Sequence, residues 1–114
     1  MTMAIMQMRL TTLYRQILKH RVKLGELQQK LDLIQTTNSN AVRLYKTYYA
    51  QSDTSKLEEL EPVLQLTNYK EEDIELEITA TNSVLAQENE EYKNVKKWIE
   101  ENAKKETAHY TMSS

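Results

Sequence analysis

Between residues 3 and 48, apolar side chains recur at alternating spacings of three and four. With Met3 at position a of a heptad, the a positions are Met3, Leu10, Ile17, Leu24, Leu31, Asn38 and Tyr45. The d positions are then Met6, Leu13, His20, Leu27, Ile34, Ala41 and Tyr48. Twelve of these fourteen are apolar or aromatic, so the pattern predicts one long helix over 3–49 whose seam faces another helix. At about 1.5 Å per residue such a helix runs roughly 65–70 Å, too long to belong to a small globular core. The run Thr36-Thr37-Asn38-Ser39-Asn40 competes for backbone hydrogen bonds. The heptad passes through it unbroken, which predicts a weakened but continuous helix.

A second ladder runs over 68–106. Asn68 with Glu71 three residues on reads as a capping box opening this helix. Its a positions are Ile78, Leu85, Tyr92 and Ile99, and its d positions Ile74, Thr81, Glu88, Val95 and Asn102. Leu76, Val84, Ala86 and Trp98 widen the apolar surface beyond a strict seam. Residues 50–67 read as a connector, in which Ser55 and Glu58 cap a short helix through Leu57 and Leu60. Pro62 ends it, because proline lacks an N–H and clashes with the preceding turn. Residues 107–114 read as a flexible tail. The expected fold is all-α: a single domain over 1–114, an elongated antiparallel hairpin of two coiled-coil-like helices.

Composition points the same way. One glycine (Gly25) and one proline leave the chain able to turn only once or twice. Hydrophobic residues make up 39%, enough for a narrow stripe rather than a layered core. With no cysteine, disulfides and thiolate metal sites are excluded. No apolar run approaches the roughly 18–20 residues that span a bilayer. The opening Met1-Thr-Met-Ala-Ile-Met-Gln-Met lacks the basic n-region of a cleaved signal. The expected setting is the cytoplasm, with export by a route without a cleaved signal left open.

The net charge of −2 conceals a polarised chain. Residues 1–50 carry eight Lys/Arg against two Asp/Glu, a net of +6. Residues 51–114 carry seven against fifteen, a net of −8. A reversal near Pro62 would set Tyr45 against Ile74. Arg43 and Lys46 would then meet the acidic run 71–75, and Lys30 would meet Glu88, Glu90 and Glu91. Arg15, Lys19, Arg21 and Lys23 would face Lys96, Lys97, Lys104 and Lys105. That mismatch leaves a basic stripe in need of an acidic surface, which the acidic start of the second helix in another copy would supply.

Each chemically suggestive residue also has a packing explanation. His20 would serve as a ligand or pH switch, imidazole being the side chain that changes charge near neutrality. At a d position it more simply fixes register, as does Asn38 at an a position. Glu71, Glu72, Asp73, Glu75 and Glu77 have no EF-hand glycine among them and favour the helix dipole. The basic residues around Tyr14 lack a nucleic-acid-binding motif, and the isoelectric point is about 5.7. Tyr45, Tyr48 and Tyr49 suit a partly wet docking patch or ordinary packing under the loop. The methionines at 1, 3, 6 and 8 form a soft apolar start.

No phosphate loop, nucleophile elbow or zincin motif occurs, which disfavours an enzyme and a small-molecule substrate. In layout the chain resembles small helical-hairpin subunits and chaperones of specialised secretion machines. The Trp-x-Gly signature of one such class is absent, since Ile99 and Glu100 follow Trp98. The expected function is assembly with copies of itself or a helical protein partner, without cofactor or metal. A chaperone or adaptor shielding a client's amphipathic helix is the alternative. The expected interface comprises Leu10, Leu13, Ile17, His20, Leu24, Leu27, Leu31, Ile34, Tyr45, Tyr48, Tyr49, Ile78, Leu85, Tyr92, Val95 and Ile99. Electrostatic docking falls to Arg15, Lys19, Arg21, Lys23, Glu71, Glu72 and Asp73.

Overall fold

In the computed structural model the chain is a helical hairpin of two long helices packed against each other. Helix α1 spans Met3–Ala50 and α2 spans Thr54–Ser113. The structure describes the backbone of residues 2–113 and the side chains of residues 2–106. The side chains of the expected flexible tail at 107–114, His109 included, lie outside the described residues. The backbone of 107–113 continues α2.

Thr2 caps α1, its hydroxyl accepting the Ile5 N–H at 3.3 Å. The Thr36–Asn40 run leaves α1 intact. Thr36 and Thr37 turn their hydroxyls back to the carbonyls of Asp32 and Leu33, both at 2.9 Å, so they share acceptors with the helix rather than breaking it.

The reversal occupies Gln51–Asp53 and not 50–67. Ser52 sits in the left-handed region at φ 56°, the N–H of Asp53 bonds to the Tyr48 carbonyl, and the N–H of Ser52 bonds to Tyr49. This is the double-bonded C-terminal motif in which glycine usually holds the left-handed position. Asp53 then caps α2, its carboxylate accepting the Lys56 N–H at 3.3 Å. Asn68 is therefore an exposed mid-helix residue and not a cap. Pro62 lies inside α2, exposed, where its missing N–H frees one carbonyl, that of Glu58, itself an exposed residue.

The chain divides into two compact units. One is built from Met1–Val22 with Asn82–Ser114, the other from Lys23–Thr81. In the first, Met6, Leu13 and Val95 form a buried cluster against which Leu10, Tyr92, Trp98 and Ile99 pack. Ile17 and Leu85 are buried there too. In the second, the buried positions are Leu27, Ala41, Thr67 and Thr81.

All fourteen a and d residues of α1 are buried or half-buried, and every other described residue of α1 is exposed. In α2 the same spacing begins at Leu57, eleven residues before Asn68, where the sequence pattern placed the start of the second helix. It runs Leu57, Leu60, Leu64, Thr67, Glu71, Ile74 and onward to Asn102, every one covered.

Candidate functional site

Among the described residues, two pairs of polar seam residues bond across the seam. In the first unit His20 Nδ1 lies 2.7 Å from Glu88 Oε1, with Glu88 buried and His20 half-buried. The imidazole N–H donates to the carboxylate, which would otherwise sit desolvated without a partner. In the second unit the Thr67 hydroxyl lies 2.9 Å from Asn38 Oδ1 and 3.0 Å from the Leu64 carbonyl. Beside it the Gln35 amide donates to Glu71 at 3.3 Å. Thr81 satisfies its buried hydroxyl on the Glu77 carbonyl of its own helix at 2.8 Å. Among the described residues, no buried side-chain nitrogen or oxygen lacks a hydrogen bond, and no group of His, Cys, Asp and Glu could hold a metal.

These pairs correct the register expected from sequence. Tyr45 shares a groove with Leu64, roughly three helical turns from Ile74. Arg9 pairs with Glu91, and Glu88 with His20, so these acidic residues serve the first unit and not Lys30. The acidic run 71–75 meets Gln35 through Glu71, and not Arg43 and Lys46. The described ion pairs do not include Arg15, Lys19, Arg21 or Lys23.

The tyrosines separate into different roles. Lys56 Nζ sits 4.9 Å from the centroid of the Tyr48 ring, joining the two sides of the turn. Tyr49 is exposed, and with Val42, Tyr45, Lys46 and Leu64 it lines an open groove of about 410 Å³. In the first unit, Tyr14 and Tyr92 have ring centroids 6.5 Å apart at 40°.

The remaining expected interface residues, from Leu10 and Leu13 through Leu31, Ile34, Ile78 and Leu85 to Ile99, lie in the chain's own seam. Sequence reasoning named charges on the opposite faces of the helices, Arg15, Lys19, Glu72 and Asp73, but not the apolar stripes to which they belong. On α1 of the first unit Ile5, Met8, Arg15, Lys19 and Val22 are exposed. Met8 and Arg15 border a shallow groove of about 490 Å³. On α2 of the second unit Leu66, Tyr69, Asp73 and Leu76 are exposed, and Leu76 and Glu72 border a groove of about 380 Å³. The signal was present as a second 3-4 spacing, displaced from the seam to the heptad positions c and f.

No protein-family model, characterised protein or solved structure matches this chain. No described helix is long and apolar enough to cross a membrane.

Proposed function

We propose that this is a non-enzymatic helical assembly protein that associates with copies of itself through coiled-coil-type helix packing. One observation carries the reading: the seam is complete in pattern, yet no large described side chain is fully buried. A helix with a single neighbour leaves its a and d residues open at the edges, and further helices close them. Large apolar residues outside the seam, Leu76 at 69% and Met8 at 71% exposure, add uncovered area. The partition of charge supports association between like chains. The unit of Met1–Val22 and Asn82–Ser114 carries nine Lys/Arg against six Asp/Glu, a net of +3. The unit of Lys23–Thr81 carries six against eleven, a net of −5.

Light scattering on the purified chain at low and high salt tests this. The expected result is a defined oligomer or filament that weakens as salt rises, because exposed charges are screened. A monomer at both salt concentrations overturns it.

The open groove of Val42, Tyr45, Tyr49 and Leu64 favours a second reading, a chaperone or adaptor that shields an amphipathic helix of a client. Such a protein is a monomer or dimer that gains order when its client is added, which the same measurements distinguish.

A further inference from the structure

Resting on the self-assembly reading, we propose that the outward face of α1 in the unit of Met1–Val22 docks, antiparallel, on the outward face of α2 in the unit of Lys23–Thr81 of a second copy. The α1 face repeats at 5, 8, 12, 15, 19 and 22, and residues 1–25 contain no Asp or Glu. Its apolar members are Ile5, Met8 and Val22, and its charged members Arg15 and Lys19. The α2 face repeats at 62, 66, 69, 73, 76 and 80, with Glu72 and Glu75 beside it. Both faces have the alternating three and four spacing that lets one helix stripe lie along another. One is apolar and basic, the other apolar and acidic.

Register follows from matching charges. Setting Arg15 opposite Asp73 in antiparallel order brings Lys19 over Tyr69, Val22 onto Leu66, Thr12 onto Leu76 and Met8 onto Ala80. The cations meet a carboxylate and an aromatic face, and apolar meets apolar at both ends. A parallel arrangement of the same stretches keeps Arg15 on Asp73 but sets Lys19 on Leu76 in place of Tyr69, so its charge loses the aromatic face. The outward face of α2 in the first unit offers no competing site, because its c and f positions (Ser83, Gln87, Glu90, Asn94 and Lys97) are all polar. The two grooves described above fall on the paired stretches, one along Met8, Thr12 and Arg15, the other along Glu72, Leu76 and Thr79. Each chain carries both faces, so the contact is heterologous.

The chain has no cysteine, so single cysteines report contacts cleanly. A Val22→Cys chain is mixed with a differently tagged Leu66→Cys chain and oxidised. The expected product is the mixed-tag disulfide dimer, formed well above the level seen with Val22→Cys and Leu33→Cys chains. In a second arm, Arg15→Glu with Lys19→Glu, and separately Glu72→Lys with Asp73→Lys, each weaken self-association by about tenfold or more. Mixing the two variants restores association to near the wild-type level. All four positions are exposed, and unchanged helicity by circular dichroism verifies that the variants fold. A wild-type oligomer with no preferential crosslink, and with no loss on charge reversal, overturns this docking mode while leaving self-assembly standing. A wild-type monomer removes both.

Discussion

In the unit formed by Met1–Val22 and Asn82–Ser114 the buried seam among the described residues is made of Met6, Leu13, Ile17, Leu85 and Val95, with Glu88 its one charged member. In the unit formed by Lys23–Thr81, Leu27 is the only large residue buried to that degree, and Ala41, Thr67 and Thr81 take the other deep positions. Both units follow the same 3-4 spacing. Periodicity therefore decides which residues turn inward, while side-chain size decides how much each contributes. A fully buried Leu or Ile is worth roughly 1.5–3 kcal/mol relative to exposure, which Ala and Thr do not approach. The second unit packs its Leu and Ile residues half-buried and adds a short turn, hydroxyl and amide bonds, and the Lys56–Tyr48 contact.

Removing side chains at matched depth breaks the comparison most directly. Leu13→Ala should cost about 2–5 kcal/mol in denaturant unfolding, whereas Thr67→Ala should cost only about 0.5–1.5 kcal/mol. Equal losses would mean that the large side chains of the first unit add nothing special. Next in size is Pro62→Ala in the second unit. It restores an N–H in the interior of α2 and should stabilise by roughly 2–3 kcal/mol, seen as a raised denaturation midpoint.

The polar layer of the first unit gives an intermediate effect of opposite sign. His20→Ala leaves Glu88 without its partner and should destabilise by about 1–3 kcal/mol. Replacing both residues by leucine should recover most of that loss, since apolar packing often equals a buried ion pair. A double variant no better than the single one would show that the layer does more than satisfy itself. The smallest effects fall on backbone conformation in the second unit. Gly25→Ala, where an added Cβ meets nothing within 4 Å, and Ser52→Gly, which relieves a left-handed serine, should each raise stability by about 1 kcal/mol in thermal melts.

The all-α hairpin and all of the α1 seam were legible because a heptad pattern is a local property of the chain. The start of α2 was misread at Pro62. The ladder Leu57, Leu60, Leu64 already ran through it, and Asp53 stood in place to cap it. An antiparallel register is set by where the turn falls, so that one misplacement moved every facing pair. Seating Tyr45 against Ile74 would put Asn38 opposite Thr81, yet Asn38 meets Thr67, fourteen residues earlier. Fourteen is two heptads, which is why the inward positions survived an error that changed all of their partners. The His20–Glu88 pair was hidden for the same reason, since each residue is an ordinary polar exception until the register joins them. The outward faces were read for their charges alone, because an apolar stripe that buries nothing within its own chain looks like scattered surface.

The three-residue reversal at Gln51–Asp53 also has a consequence in time. Closing so short a loop loses little chain entropy, whereas the Leu13 and Val95 contact must close one of about eighty residues if formed first. Pairing should thus nucleate beside Tyr48 and Leu57 and zip towards the termini, each heptad shortening the loop left for the next. In stopped-flow chevrons, Leu57→Ala should chiefly slow folding and Leu13→Ala chiefly speed unfolding. The termini, last to zip on folding, would then be the first part of the helix pair to peel apart.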